Sequence, residues 1–381
     1  MREIAALFLR LGLTAFGGPA AHVTVIEANV VTQRAWLTRA AFLDLLGVVQ
    51  VLPGPNSTEL AIHIGHSRAG WRGGVVAGLC FVLPSVLMVW MLARVAAAPA
   101  IRPVVATVLW FLAPVVVAVL LDAQWKFGSQ AWQRSGAPVI MLATVVAAVM
   151  RPSDLAVLAV GALVAMLWRG GAKRGGAAAA VCLTLLLAIG AVDAMAQTLA
   201  PGSNAPRTSA ILLYFLRAGA SVFGSGYVLL AYLQRDLVLE RHWLSLAALT
   251  QASALAQITP GPLFATATAA GYVIGGHLGA LAATVGIFAP AFLSVTVSAP
   301  VQRLIQRSKW VRAALDGIVV ASVTLLGRAI VGFALPLGRW QWAVCGVATL
   351  ALLASRVQAT ILLLGAVSAG VVAAVFHFIP S

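Results

Sequence analysis

The chain carries one pattern twice. Phe8-Leu9-Arg10-x-Gly12-x-Thr14-x-Phe16-Gly17 returns 207 residues later as Phe215-Leu216-Arg217-x-Gly219-x-Ser221-x-Phe223-Gly224. At the same spacing Trp36-Leu37-Thr38 returns as Trp243-Leu244-Ser245, and Gln50-x-x-Pro53-Gly54-Pro55 as Gln257-x-x-Pro260-Gly261-Pro262. A fold for this chain must therefore hold two copies of one unit. Each copy must accommodate glycine and proline at the same interior points, where a helix cannot run on unbroken.

Composition sets the solvent. Of 381 residues 61% are hydrophobic and 9% charged, with mean hydropathy +0.99. Soluble domains carry about 25% charged residues, so no water-soluble core could hide this chain. Backbone in lipid must satisfy itself, and the alternation of a membrane barrel is absent. The class is an all-α polytopic membrane protein. The net charge of +15 does not point to nucleic acid, because the Lys and Arg residues fall in short loops where they set topology. Cys80, Cys182 and Cys345 are far apart in apolar runs and have neither disulfide nor metal spacing. The first apolar run leads into Gly17-Gly18-Pro19 rather than a cleavage site, so no signal peptide is expected. Most tryptophans lie near segment ends, as interface anchors do.

At about 20 residues per crossing, segments fall near 3–31, 37–66, 73–97, 103–124, 136–150 and 153–168. A linking span follows near 175–196. The set then repeats near 209–233, 243–274, 279–299, 311–331, 340–354 and 357–379. That is about thirteen helices, with a first repeat over 1–170, a link over 171–208 and a second repeat over 209–381. If segment 37–66 passes through as one broken span, seven spans precede the second half and the repeats are inverted. If it turns back as a re-entrant hairpin, the halves are parallel. With the N-terminus inside, fifteen Lys and Arg lie in inside loops and eight in outside loops, which is the expected bias. The C-terminus then lies outside.

Duplicated, interrupted apolar segments are the mark of a secondary transporter. Arg10 and Arg217 each lie on the order of 11 Å inside their helix. An intramembrane arginine costs about 3 kcal/mol on insertion scales and faces a partner or a wet cavity. Two such forks facing a twofold axis suit a tetrahedral dianion; snorkelling or helix capping is the plainer alternative. Gly17, Gly18 and Pro19, and in the second copy Gly224, Ser225 and Gly226, break the first segment of each half. Broken helices free amides at a helix start, which bind anions. Thr14 and Ser221 add hydroxyls. In the second segment the breaks are Pro53, Gly54 and Pro55, and Pro260, Gly261 and Pro262. Asn56, Ser57 and Thr58 are first-turn donors, and Gln50 and Gln257 stand one turn before the breaks. Glu59 and Asp44 are the acids expected to be buried, and either could carry a coupling proton. Asp316 is a weaker candidate. Glu59, His63 and His66 share a helical face, but the spacing is not that of a metalloprotease, and neither a metal nor a cofactor is expected.

These residues resemble the chromate ion transporter family in its long, two-domain form. The likeness is carried by Phe8 to Pro19, by Leu-Pro-Gly-Pro-Asn-Ser-Thr-Glu-Leu-Ala-Ile-His-Ile-Gly at 52–65 and by Gln257-Ile-Thr-Pro-Gly-Pro, and it spans nearly the whole chain. The resemblance implies an inner-membrane protein with thirteen spans and antiparallel halves. It would export chromate using the proton motive force and confer chromate resistance, with sulfate as competitor. Its partners would be chromate or sulfate, protons and membrane lipid; assembly, including a homodimer, stays open. Three rivals stand beside this reading. They are a carrier of sulfate or another oxyanion, a passive anion channel, and an intramembrane metal-dependent hydrolase built on Glu59, His63 and His66.

Overall fold

A computed structural model describes residues 1–50, 52–150, 153–170, 206–223, 226–354 and 357–376. The linking span at 175–196, Cys182, Gly224 and Ser225 lie outside the described residues. The regular structure among the described residues is helical throughout. In sequence order the helices are α1 (Arg2–Thr14), α2 (Pro19–Glu27), α3 (Arg39–Val49), α4 (Asn56–Ala96), α5 (Arg102–Trp132), α6 (Ala137–Val149) and α7 (154–170). After the link come α8 (Thr208–Ser221), α9 (Gly226–Leu233), α10 (Leu246–Ile258), α11 (Thr266–Arg307), α12 (Lys309–Ala334), α13 (Arg339–Ala354) and α14 (Ala359–Val375). Among the described residues four helical runs are long and apolar enough to cross a membrane: Asn56–Ala96, Pro99–Trp132, Leu263–Val295 and Lys309–Ala334. This is an all-α membrane protein.

By contact the chain divides into two units, Met1–Asp122 with Ala205–Thr296 and Ile330–Ser381, and Ala123–Asn204 with Val297–Ala329. Each draws on both halves of the sequence. In the second unit Asp316 pairs with Arg134 and with Arg169, the latter at 3.1 Å, and buried Asp154 pairs with Arg328. Thr144 and Thr324 hydroxyls meet at 2.8 Å, and Gly161 lies against the backbone of Gly317. The two arginines on Asp316 give that acid a structural role.

The first unit shows the repeat in detail. α1 buries Ile4, Leu7, Phe8, Leu11 and Gly12, and α8 buries Ile211, Tyr214, Phe215, Ala218 and Gly219, the same five places 207 residues on. This is the i, i+3, i+4, i+7 stripe of a helix packed on one face. α2 and α9 each run on into a π-helical turn, Ala28–Gln33 and Gln234–Glu240. Ala35 (φ 48°) and His242 (φ 52°) then take equivalent left-handed conformations. The Thr38 hydroxyl caps α3 by accepting from Ala41 N at 3.2 Å, and Ser245 caps α10 by accepting from Ala248 N at 3.1 Å. That capping explains the repeated Trp-Leu-Thr/Ser motif.

The broken segments do not pass through. A continuous helix from 36 to 68 would hold its ends about 48 Å apart at 1.5 Å per residue. Instead the Arg68 guanidinium lies 4.9 Å over the Trp36 ring and 4.0 Å from the Glu3 carboxylate. Residues 3, 36 and 68 therefore share one end, so the segments near 3–31 and 37–66 each enter, break and turn back. In the second copy Arg241 lies 5.0 Å over Trp243 and 5.7 Å over Tyr214. A Cβ on Gly275 would meet Ile211 Cδ1 at 2.9 Å. Segments 209–233 and 243–274 thus fold back as well. Of the two readings the sequence left open for 37–66, this is the hairpin.

After the second hairpin α4 turns sharply at Ala69 and Gly70 (φ 61°), and α11 at Gly275 and Gly276 (φ 60°). Gly65 then packs on Gly73 and Ala77, and Gly271 on Gly279 and Ala283. Side chains this small let two antiparallel limbs touch backbone to backbone. The spacing between equivalents here is 206 rather than 207, so the second copy is one residue shorter just after Pro262. The limbs 71–96 and 277–295 run antiparallel. Gly78 meets Phe292, with a Cβ reaching its ring at 2.7 Å, while Trp90 Nε1 donates to His277 Nδ1 at 3.1 Å. The sequence argument made the halves parallel if 37–66 turned back. The antiparallel limbs fit two segments turning back in each half rather than one, which leaves the parity unchanged.

Cysteine labelling tests the hairpins. In a protein with its native cysteines replaced by serine, Thr38→Cys and Ala69→Cys should react with an impermeant maleimide from the same side of the membrane. Labelling from opposite sides would restore the through-going span.

Candidate functional site

The four hairpins bring their breaks together. Gly54 N donates to Val222 O at 2.8 Å, and Gly261 N donates to Ala15 O at 3.0 Å. Gly54 and Gly261 are equivalents, as are Ala15 and Val222, so the two bonds are one bond repeated by the pseudo-twofold. Both glycines hold positive φ, 139° and 101°, which favours glycine strongly. Gly17 (φ 105°) turns the chain in the first break, and Pro19 opens α2, where a missing amide is tolerated.

Helices restart after each break, and the restarts ring one cavity. Its walls are His22 from α2, Pro55, Asn56 and Ser57 at the start of α4, Gly226 at the start of α9, and Pro262, Leu263 and Phe264 leading into α11. Each helix start leaves amides unpaired within its own helix and carries a partial charge of about +0.5. The cavity is therefore electropositive without any cationic side chain. Its volume is about 10 Å³, the room of about one water. A larger anion would enter only if the hairpins move.

Glu59 lies in the first turn of α4, fully buried, and neither carboxyl oxygen has a hydrogen-bond partner. Oε1 lies 2.9 Å from where a Cβ on Gly54 would stand. Ser294 is its neighbouring hydroxyl but donates to Ala291 O at 2.7 Å. At the equivalent break a Cβ on Gly261 would meet Ser85 Cβ at 2.6 Å. The Ser85 hydroxyl is also buried without a partner.

Of the residues expected from sequence, the structure brings Pro55, Asn56, Ser57, Gly226 and Pro262 to the cavity. Gly54 and Gly261 hold the breaks, between Pro53 and Pro55 and between Pro260 and Pro262. Gly18 lies against the Tyr227 hydroxyl, which a Cβ would meet at 3.1 Å. Thr58 is buried nearby with its hydroxyl unpaired. Others lie elsewhere. Arg10 is exposed and Arg217 half-buried, and neither lines the cavity. Arg217 faces Asp236, Tyr232, Glu240 and Arg241 on the returning limb of its own hairpin. The Thr14 and Ser221 hydroxyls donate back to Arg10 O and Arg217 O at 2.7 and 2.8 Å. Neither hydroxyl proton is left for a ligand. Gln50 is exposed, and Gln257 donates to Ser253 Oγ at 2.7 Å. Asp44, expected to be buried, is exposed on α3. His63 is buried while His66 is exposed. Among the described residues no three His, Cys, Asp or Glu side chains are grouped as metal ligands.

Sequence reasoning missed two residues. His22 is 1% exposed and lines the cavity; it stands four residues beyond Gly18 in an apolar run, and an intramembrane ionisable residue is itself the signal. Tyr227, the second residue of α9, is buried beside Gly18 and near Asp122.

Fold and site together define a membrane protein of two interlocked repeats with an electropositive cavity at their breaks. The profile of the chromate transporter family matches residues 2–192 and 209–372, and the chain belongs to that family. It is 30% identical over 344 residues to a chromate transport protein of Pseudomonas aeruginosa, covering 87% of this chain and 80% of that one. It is likewise 30% identical over 351 residues to a chromate transport protein of Cupriavidus metallidurans, covering 87% and 82%. An uncharacterized transporter of Bacillus subtilis, YwrA, is 30% identical over 122 residues, 32% of this chain and 68% of its own. No solved structure matches.

The breaks can be tested by stability. Gly54→Ala and Gly261→Ala should each lower the protein's stability by about 1–3 kcal/mol, read as a lower melting temperature in detergent. Gly47→Ala, in a helix with open space around it, should not.

Proposed function

We propose that the protein is a secondary active transporter that exports chromate across the cytoplasmic membrane. The observation that carries this is the ring of four helix starts around one buried cavity, which suits an oxyanion. Chromate as the cargo rests on the family and on the names of the relatives. Export would confer chromate resistance.

In this reading residues 1–170 and 209–381 are the two repeats and 171–208 links them. The thirteen segments become nine crossings and four re-entrant hairpins, counting 175–196 as one crossing. With the N-terminus inside, the fold-back moves Arg34 and Arg39 to the inner side and Arg235 and Arg241 to the outer. The bias stays at fifteen to eight, and the C-terminus stays outside.

The anion binds to amides at the starts of α2, α4, α9 and α11, aided by Asn56 and Ser57. The inside-negative potential favours outward movement of a net negative load by about 2.3 kcal/mol per charge per 100 mV. Glu59, buried at the same breaks, exchanges a proton as the anion comes and goes, because an oxyanion and a carboxylate repel each other strongly where water is excluded. Arg10 and Arg217 lie on the limbs that lead to the breaks and draw anions toward them. The hairpins rock about the cavity to open it to one side at a time.

Proteoliposomes test this. With equal chromate on both sides and zero potential, an imposed pH gradient should drive net chromate flux, and Glu59→Gln should weaken that response. Ser57→Phe, which fills the cavity, should cut flux at least about tenfold, a loss of about 1.4 kcal/mol. Flux that only follows chromate's own electrochemical gradient would mark a channel and overturn the coupled carrier.

A further inference from the structure

His22 is held by the bond that joins the repeats. Its Nε2 lies 3.1 Å from Ala15 O, the same carbonyl that accepts Gly261 N at 3.0 Å. A carbonyl oxygen can only accept, so Nε2 carries the hydrogen. In a neutral imidazole Nδ1 is then a lone pair and not a donor. Nδ1 is buried and has no hydrogen-bond partner, and the residue lines the cavity. Phe81 packs edge-on at 5.8 Å between ring centroids and fixes the ring. The equivalent residue in the second repeat is Leu229, so this acceptor occurs once.

Four helix starts attract an anion, yet a bare oxyanion oxygen against the Nδ1 lone pair would be repelled. A single hydrogen between them resolves the conflict. We propose that His22 makes the cavity select an oxyanion carrying one proton, whose O–H donates to Nδ1. The inference rests on the cavity being the oxyanion site. It supplies a discrimination that size cannot. Chromate and sulfate are both tetrahedral dianions, but chromate takes up a proton near neutral pH and sulfate only in strong acid. A site built to accept a ligand O–H rejects an analogue lacking it, since the buried acceptor is left unpaired. Tyr227 on α9 stands against Gly18, four residues before His22, with Asp122 on α5 near it, and Glu59 and His63 are buried on α4, which packs against α2. None of them donates to Nδ1, which has no hydrogen-bond partner.

Titration calorimetry on the purified protein, in two buffers of different ionisation enthalpy at mildly alkaline pH, tests this. Chromate binding to the wild type should take up about one proton more from the buffer than binding to His22→Gln does. Sulfate and selenate should bind at least tenfold more weakly. His22→Gln keeps an amide donor for Ala15 O but removes the ring acceptor; it should bind chromate without that proton and lose most of the preference over sulfate. Glu59→Gln should lose only the proton that Glu59 itself exchanges and keep the one that depends on His22. Sulfate bound by the wild type as tightly as chromate would overturn the proposal, whether or not the variants fold. So would a proton uptake that His22→Gln leaves unchanged. Failure of the wild type to bind chromate at all would overturn the oxyanion site itself.

Discussion

Two backbone hydrogen bonds, Gly54 N to Val222 O and Gly261 N to Ala15 O, are the point on which this structure turns. Each joins the break of one repeat to the break of the other. A break in a helix exposes amides and carbonyls that lipid cannot satisfy. Here each repeat supplies the partner that the other lacks. The breaks of the two repeats therefore support each other. The same pairing turns four helix starts inward on a single small space, which is what gives the protein a site.

The repeats share a frame but not a chemistry. The left-handed residues at 35 and 242, the caps at 38 and 245 and the small-residue contacts at 65 and 271 are common to both. The ionisable groups at the breaks are not. Glu59 belongs to the first copy, where the second has a shorter turn through Leu263–Ala265. His22 faces the cavity from the first copy, while Tyr227 comes from the second. A symmetric cradle of amides with an asymmetric set of side chains can hold an anion through backbone and read its protonation state through one ring.

Much of this was legible in the sequence, and the failures have a common cause. Glycine and proline mark where a helix must stop, so all four breaks were readable. So was the restart at Asn56, because proline followed by polar first-turn residues is a local signal. Whether the chain continues or turns back after a break depends on tertiary contacts such as Arg68 with Trp36, which leave no local mark. The same limit misled the reading of depth. Arg10 and Asp44 fall in apolar runs but on outward faces, and a re-entrant limb exposes residues that a spanning helix would bury. His22 was passed over because it has no counterpart, and the argument from repetition rewards matched residues.

The most direct test of the account is to locate the anion. Chromium is heavy enough to be found by anomalous scattering from crystals of the protein grown with chromate. The account predicts a single chromium among the starts of α2, α4, α9 and α11, beside His22, Asn56 and Ser57. A chromium held instead by the Arg10 or Arg217 guanidinium, with the cavity unchanged, would contradict it.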